Sequence, residues 1–302
     1  MSDAVCTVKE APAVASPRWL VPLSLMSMYL IWGSTYLGIR YALVSYPPFL
    51  LAAIRFAIAG VLLFAVLRFR GVALPTPRQW KNAAIVGTLL LAGGNGLVCF
   101  AEQSVSSGIA AVAVASMPLF AAVFGGLYRE WPTRGETIGL ALGFIGVVVL
   151  NLGAGLSGSP LGAIALICAA MAWAFGSVWS KRQDMPSGPM NTAAQMLCAS
   201  VSLAIIALLH GERFPAHPQV GATVALGYLI VFGSIVAFSA YLYVLKTVRP
   251  ALATSYAYVN PPVAVLFGVA VAGEHVGPFD LAGMAIILVG VGIITMMRTR
   301  KA

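Results

Sequence analysis

The feature that most constrains this chain is a series of long apolar stretches that carry almost no charge. The first of them, residues 19–39, contains no Asp, Glu, Lys or Arg. A helix needs about 20 apolar residues to cross the hydrocarbon core of a bilayer. Of the 302 residues, 60% are hydrophobic and 9% charged, whereas soluble domains contain about 25% charged residues. This composition excludes soluble, disordered and fibrous chains, and the unbroken runs exclude a barrel of alternating strands.

Charged and turn-forming residues divide the apolar sequence into ten predicted transmembrane helices joined by short loops. We therefore predict an all-α polytopic membrane protein, a bundle of ten helices with no separate soluble domain. The predicted spans are 19–39, 49–67, 82–101, 108–128, 136–153, 161–180, 190–209, 220–245, 251–272 and 278–297.

Basic residues are distributed unevenly between alternate loops. One set of loops, together with the two termini, contains fifteen Lys and Arg, whereas the other set contains only Arg40 and Arg213. By the positive-inside rule, both termini are predicted to be cytoplasmic. The net charge of +9 is thereby explained by topology, and no nucleic-acid partner is expected. The four cysteines and three histidines are scattered, so neither a disulfide framework nor a metal site is expected.

The two halves of the chain resemble each other in sequence order. Residues 31–34 align with residues 174–177 at an offset of 143, and Pro118 aligns with Pro261 at the same offset. Each half has five predicted spans, so the second half is inverted relative to the first. Inverted repeats around a central site are the architecture of secondary transporters. Both halves are in one chain, so we expect a functional monomer. The predicted segments are a tail at 1–18, a first repeat at 19–155, a second repeat at 156–297 and a tail at 298–302.

Several short motifs carry a resemblance to a known family. They are Ile-Trp-Gly-Ser-Thr-Tyr at 31–36, Pro-Pro at 47–48, Arg-Phe at 55–56, Gly-Asn-Gly at 94–96, Ser-Gly-Ile-Ala-Ala at 107–111, Trp-Ala-Phe-Gly-Ser at 173–177 and the run from Pro to Pro at 250–261. Together they resemble the drug/metabolite transporter (DMT) superfamily, and within it the EamA family of ten-helix exporters. The resemblance implies a bacterial inner-membrane exporter of amino acids, other metabolites or drugs. It also implies a central cavity lined by the first four helices of each half, with the fifth helix packed peripherally.

Aromatic residues deep inside two matching spans are candidates for the wall of that cavity. Trp32 and Tyr36 lie in the first span, and Trp173 and Ser177 lie in the sixth. Trp and Tyr usually occupy the membrane interfaces, but both tryptophans lie well inside their apolar runs. They could either face a cavity or pack between helices. An aromatic-lined cavity with few polar groups suits an aromatic or apolar solute.

Asn95 is a second candidate because glycines surround it at positions 93, 94 and 96. Glycines permit close helix approach or a local break. Asn95 could then bond to a neighbouring helix or face a solute.

Prolines interrupt two spans at matching positions. Met117 and Pro118 lie in the fourth span, and Tyr256, Asn260 and Pro261 lie in the ninth. Proline removes a backbone donor and kinks a helix, so Pro118 and Pro261 are predicted helix breaks with a role in gating. Tyr256 and Asn260 share one helix face, and they are predicted to line the cavity together with Met117.

Arg55 is the one Lys or Arg placed within a predicted span, about six residues from its outer end, or roughly 9 Å at 1.5 Å per residue. It could extend to the outer surface or pair with Glu102, and an Arg55–Glu102 pair could lock one conformation.

The absence of certain motifs also limits the function. No Asp or Glu lies in the middle third of a predicted span, unlike the central Glu of the small multidrug-resistance relatives, so facilitated diffusion is expected. The sequence has no His-Glu-x-x-His motif, no intramembrane pair of aspartates and no P-loop, so neither an enzyme nor an ATP-driven pump is expected, and no cofactor is implied. We predict a secondary transporter that exports small metabolites, foremost amino acids with aromatic or apolar side chains, by alternating access. A drug or other-metabolite exporter, a lipid flippase and a channel are the alternatives.

Overall fold

The computed structural model describes residues 19–104, 114–150, 160–272 and 277–299, which are helical and contain no strand. The predicted tail at 1–18, the motif at 107–111 and residues 300–302 lie outside the described residues. The helices are α1 (Leu20–Leu43), α2 (Pro48–Phe69), α3 (Pro77–Ala101), α4 (Met117–Gly126), α5 (Arg134–Leu150), α6 (Pro160–Ser180), α7 (Pro189–Leu209), α8 (Val220–Thr247), α9a (Pro250–Ala253), α9b (Tyr256–Ala272) and α10 (Pro278–Thr299).

The all-α prediction is confirmed for the described part of the chain. Among the described residues, six helices are long and apolar enough to cross a membrane, namely α1, α2, α3, α6, α7 and α8. The number of crossings and the side on which the termini lie remain predictions.

Helix starts are encoded by proline and by capping boxes. Proline occupies the first turn of α2, α3, α4 and α7, where its missing N–H would have no helical partner in any case. Thr76 accepts a hydrogen bond from the backbone of Gln79, whose side chain in turn accepts one from the backbone of Thr76. Thr133 and Glu136 form the same reciprocal pair before α5. These caps fix where the short loops end.

Helices α2 and α7 end in the same way. Gly71 and Gly211 take positive φ angles of 77° and 75° just beyond the two helices. The next residues, Val72 and Glu212, donate backbone hydrogen bonds across the turn to Leu67 and Ala207 at 3.0 and 2.9 Å. This is the Schellman arrangement, for which glycine is favoured because it has no Cβ.

Two helices contain π-helical segments at matching positions. The segment of α3 is Thr88–Gly96 and the segment of α8 is Leu229–Val236, which begins 141 residues later. A π turn accommodates an extra residue and leaves backbone carbonyls poorly satisfied. In α8, the Ser234 hydroxyl donates to the carbonyl of Leu229, five residues earlier, at 3.0 Å.

Helices α5 and α10 pack against each other through glycines. A Cβ on Gly290 would lie 2.7 Å from the backbone nitrogen of Gly143, and one on Gly139 would lie 2.7 Å from the carbonyl of Gly290. Glycine is required here because the two backbones touch. This contact joins the fifth helix of each predicted repeat.

The two prolines that were predicted to break helices differ in the structure, and their role in gating stays a prediction. Pro118 lies in the first turn of α4, after a turn at Ser116. Pro261 lies inside α9b, so the predicted break at this residue is wrong. The interruption falls instead at Thr254 and Ser255, whose hydroxyls donate to the carbonyls of Pro250 and Leu252. Because the helix restarts at Tyr256, Pro261 lies only about a turn and a half from its start.

Polar contacts gather at the two ends of the bundle. We call the end with the α2–α3, α4–α5, α6–α7 and α8–α9a loops the basic end, because most of the Lys and Arg lie there. The end with the α1–α2 and α7–α8 loops and the C-terminus of α3 is the opposite end. Ion pairs join the predicted repeats at the basic end: Arg182 with Glu130 at 2.8 Å, and Arg249 with Glu136 at 2.6 Å.

The opposite end is joined by a helix cap and by neutral hydrogen bonds. The carboxylate of Glu212 accepts from the backbone N–H of Leu50 at 2.7 Å and of Phe49 at 3.3 Å, at the start of α2. A carboxylate at a helix N-terminus also interacts favourably with the helix dipole. The hydroxyls of Tyr46 and Thr223 are 3.1 Å apart and add a further contact.

Candidate functional site: a central cavity

A cavity of about 560 Å³, including the part open to solvent, lies between α1, α3, α4, α6 and α9b. Seven of the predicted site residues line it: Trp32, Tyr36, Asn95, Met117, Trp173, Tyr256 and Asn260. The remaining lining residues are Thr35, Ile39, Gly94, Val98, Val114, Ala169 and Ala170. The wall is therefore mostly apolar, with a few polar side chains, as in many sites for small molecules.

Four aromatic rings pack together at one end of the cavity. Three of them line the cavity, and the fourth lies behind them. This aromatic cluster consists of Trp32, Trp173, Tyr241 and Tyr256. The Trp32 ring centroid lies 5.6 Å from Trp173, 5.4 Å from Tyr241 and 4.6 Å from Tyr256. Tyr241 lies 5.5 Å from Trp173 and 5.7 Å from Tyr256. These separations fall within the range of favourable aromatic contacts.

The cavity lies between the aromatic cluster and the opposite end of the bundle. On α1 the lining runs from Trp32 to Ile39, about 10 Å at 1.5 Å per residue. Trp173 on α6 and Tyr256 on α9b are the lining residues nearest the basic end on their helices. The aromatic cluster therefore separates the cavity from the basic end.

One hydrogen bond holds Trp32 in place, and a glycine leaves room for Trp173. The Trp32 indole N–H donates to the carbonyl of Gly233, in the π-helical segment of α8, at 3.0 Å. A Cβ on Gly94 would overlap the Trp173 ring, so only glycine at this position leaves room for it. The Trp173 indole nitrogen is buried and has no hydrogen-bond partner among the described residues.

Ser177 does not line the cavity, contrary to its predicted role. Its side chain is 1% exposed and lies behind the aromatic cluster. The hydroxyl donates to the carbonyl of Trp173 at 2.6 Å and lies 2.5 Å from the hydroxyl of Tyr241. Ser177 therefore positions Tyr241, a residue that the sequence analysis did not single out.

Arg55 is buried between both π-helical segments and does not extend to the surface. It is 2% exposed. Its Nε donates to the hydroxyl of Ser234 at 2.6 Å, and its Nη1 donates to Oδ1 of Asn95 at 3.4 Å. The guanidinium carbon lies 4.9 Å from the centroid of the Phe56 ring. The predicted pair with Glu102 is wrong, since the short contacts of Arg55 in the described part of the chain are to neutral groups.

Glu102 follows α3 at the opposite end. Its Oε1 is buried without a hydrogen-bond partner among the described residues. Burial raises the pKa of this carboxyl from 4.5 to about 8, and the positive charge of Arg40 opposes the increase. Glu102 is therefore a proton-binding group close to Tyr36, which lines the cavity.

Asn260 and Met117 complete the wall near the aromatic cluster. Asn260 is 2% exposed, and its Oδ1 has no hydrogen-bond partner among the described residues. The Tyr256 hydroxyl donates to the sulfur of Met117 at 3.5 Å. In the described part of the chain, no group of three His, Cys, Asp or Glu could hold a metal ion. The arrangement can bind and orient a small organic molecule, and it contains no nucleophile–base pair.

Comparison with known proteins places these features in a wider context. The EamA-like transporter family matches residues 19–152 and 160–296. The inner membrane transporter YedA of Escherichia coli K12 is 46% identical over 282 residues, which cover 92% of each chain. The transporter YoaV of Bacillus subtilis 168 is 25% identical, over 93% of this chain and 98% of that protein. A solved crystal structure is similar with a TM-score of 0.76 and 22% identity, over 94% of this chain and 99% of that chain. That last similarity shows the fold alone.

Proposed function

The chain belongs to the EamA-like transporter family, and on that premise we propose that it exports amino acids with aromatic or apolar side chains across the inner membrane. The observation that supports this most directly is the central cavity bounded by the aromatic cluster. Indole and phenol rings at the inner limit of an apolar cavity favour a solute that can stack against them.

Alternating access follows from the position of the cavity. We place the basic end in the cytoplasm, in accordance with the positive-inside rule. The described conformation is then closed towards the cytoplasm by the aromatic cluster and by the basic-end ion pairs. For a solute to enter from the cytoplasm, the two repeats must separate at the basic end and close at the opposite end. Both repeats are in one chain, so a monomer suffices for this cycle.

Transport without a coupling ion is the simplest mechanism for a cavity with this wall. The residues that line the cavity include no Asp or Glu in the described part of the chain. A solute would then move down its own gradient.

Counterflow in proteoliposomes tests this proposal. Vesicles are preloaded with unlabelled amino acids, and labelled Phe, Trp, Met, Thr and Asp are added separately, with and without a pH gradient. We expect uptake of Phe, Trp and Met, weak uptake of Asp, and no effect of the gradient. Exchange of drugs or lipids instead of amino acids would contradict the proposal and support one of the alternatives.

A matched pair of variants links the transport to the cavity. Trp173→Ala removes a ring from the aromatic cluster and should reduce Phe uptake by at least tenfold. Trp19→Ala removes a tryptophan that is 62% exposed and lies before α1, so it should leave uptake unchanged. Equal uptake by wild type and Trp173→Ala would show that the solute does not contact this ring.

A further inference from the structure

Asn95 presents its amide N–H groups on the α3 wall of the cavity. Its Oδ1 accepts hydrogen bonds from Nη1 of Arg55 at 3.4 Å and from the thiol of Cys99 at 3.7 Å. A guanidinium can only donate, so the Asn95 atom that faces Arg55 is the oxygen. The Asn95 nitrogen donates to no described residue, and Asn95 lines the cavity. The free end of this side chain is therefore a hydrogen-bond donor.

The charge of Arg55 strengthens that donor. Arg55 is 2% exposed, and in the described part of the chain its short contacts are to Ser234, Asn95 and the Phe56 ring, all of which are neutral. A buried cation without a counter-ion produces a positive potential in its low-dielectric surroundings. Because Asn95 separates Arg55 from the cavity, this potential is felt at the α3 wall and favours an anionic group there.

Asn260 presents a hydrogen-bond acceptor on the α9b wall, whereas Asn95 presents a donor on the α3 wall. Its side chain is 2% exposed, lines the cavity, and carries an Oδ1 with no partner among the described residues. A buried acceptor without a donor is costly unless a ligand supplies one. The Tyr36 phenol lies beside this side chain. An N–H group of a bound solute would satisfy the Asn260 oxygen.

We propose that the cavity recognises the zwitterionic head group of an α-amino acid. The carboxylate would bind at Asn95, with Arg55 as a positioning residue behind it. The ammonium group would bind at Asn260, and the side chain would lie against the aromatic cluster. This inference rests on the proposed function and narrows it, because amines, carboxylic acids and uncharged drugs would each leave one of the two polar positions unpaired.

Head-group analogues of phenylalanine provide the test. Purified protein in lipid nanodiscs is titrated with L-phenylalanine, phenethylamine, which lacks the carboxylate, and 3-phenylpropionate, which lacks the ammonium group. Binding is followed by tryptophan fluorescence, and the same compounds are used as competitors in Phe counterflow. We expect each analogue to bind at least tenfold more weakly than phenylalanine. Equal binding of all three compounds would overturn the inference.

Two variants assign the two polar positions. Asn95→Asp keeps an oxygen beside Arg55 but loses the N–H donors, so it should weaken 3-phenylpropionate at least tenfold and spare phenethylamine. Asn260→Leu removes the acceptor and should have the reverse effect. Asn191→Asp is the matched control, because Asn191 is a buried asparagine outside the cavity lining, and the variant keeps the oxygen that accepts from Gln195. An effect of either variant that is equal for both analogues would indicate general destabilisation and would contradict the assignment.

The two proposals can fail separately. If phenylalanine is exchanged and removal of either head group makes no difference, the export of amino acids stands and the head-group inference falls. If phenylalanine binds with the expected discrimination but is not exchanged, the head-group inference stands and the export proposal falls. If phenylalanine neither binds nor exchanges, both are overturned.

Discussion

The basic end and the opposite end of the bundle connect the two predicted repeats by different kinds of contact. At the basic end, side chains of opposite charge meet across the repeats, as in the pairs of Arg182 with Glu130 and Arg249 with Glu136. At the opposite end, Glu212 caps the backbone of α2, and its side chain is 5% exposed. The first kind of contact can separate while every helix remains intact. The second is part of a helix start.

This difference bears on which end can open. The exposed pair of Arg182 with Glu130 contributes little net free energy, because water solvates the separated charges well, and Arg249 can leave Glu136 without disrupting a helix. A buried cap is harder to replace, since the helix N–H groups lose their acceptor. The basic end therefore has the contacts expected of a gate, and the cap at the opposite end is expected to persist. Glu102 is an exception at the opposite end, because Oε1 of its carboxyl is buried without a hydrogen-bond partner in the described residues.

The largest expected effect concerns pH and Glu102. Its folded-state pKa of about 8 exceeds the ordinary value of 4.5, so the folded protein binds this proton more tightly than the unfolded chain does. The contribution of Glu102 to stability should therefore be fully present below pH 4.5 and be lost as the pH rises to about 8, a loss of roughly 4 kcal/mol. Thermal unfolding from pH 4 to 9 should show this decrease in wild type and not in Glu102→Gln. Glu130→Gln, which removes a carboxylate at the basic end, is the control and should still show the decrease. An identical pH profile for wild type and Glu102→Gln would contradict the prediction.

The second effect concerns the ion pair of Arg249 at the basic end. Its partner Glu136 has a side chain that is only 4% exposed. Arg249→Ala should therefore destabilise the closed basic end, relative to the open one, by about 1–3 kcal/mol. With a cysteine introduced at Ser180 in a background without other cysteines, maleimide labelling from the basic end should increase about tenfold. Arg249→Lys keeps the charge and should increase labelling less. Unchanged labelling in Arg249→Ala would mean that this pair does not close the basic end.

The third effect concerns the cap at the opposite end. Glu212→Ala should lower the free energy of unfolding by about 1 kcal/mol, because two backbone N–H groups of α2 lose their acceptor. Glu212→Gln retains an oxygen acceptor and should lower it by less. Neither change should alter labelling at position 180, in contrast to Arg249→Ala. Increased labelling in Glu212→Ala would remove the distinction between the two ends.

The smallest effect concerns Arg182 and Glu130, whose side chains are 25% and 47% exposed. Reversing one charge by Glu130→Arg should destabilise the closed basic end by less than about 1 kcal/mol, and labelling should rise two- to fourfold. The double reversal with Arg182→Glu should restore part of the loss. High salt should reduce both differences, because screening weakens exposed pairs. A salt-independent effect would point to packing rather than charge.

The fold was largely predictable because the residues that begin and end its helices lie at those ends in the sequence. Prolines at first turns, the Thr-x-x-Gln and Thr-x-x-Glu boxes and the glycines after α2 and α7 determine the boundaries. The transporter prediction, as opposed to an enzyme, is confirmed by the family match. The π-helical segments were not predicted, because the glycines around Asn95 indicate only a weak point and not its geometry.

Some residues of the cavity wall and its surroundings were predicted from the sequence and others were not. The reason differs from residue to residue. Trp32 and Trp173 were identifiable because tryptophan deep inside an apolar run is unusual. Tyr241 was missed because its role depends on Ser177, 64 residues away in the chain. The partners of Arg55 are 40 and 179 residues away in sequence. Glu102 was one of two predicted partners or destinations for Arg55, the other being the outer surface, but the neutral Ser234 and Asn95 are the groups in contact.

The π-helical segments make the cavity depend on residue count as well as on residue type. Each residue of an α-helix advances the face by about 100°, so one extra residue between Thr88 and Asn95 would turn the C-terminal part of α3 by that angle if this segment were α-helical. The π-helical segment takes up this residue with less rotation per residue, so Asn95 lies in the wall that it shares with Trp32. A π turn often marks a functional site and behaves as an inserted residue. Deleting one residue from the π-helical segment of α3 should therefore give a more regular helix whose C-terminal part keeps its orientation, so the wall of the cavity depends on a π turn that is matched to the length of α3.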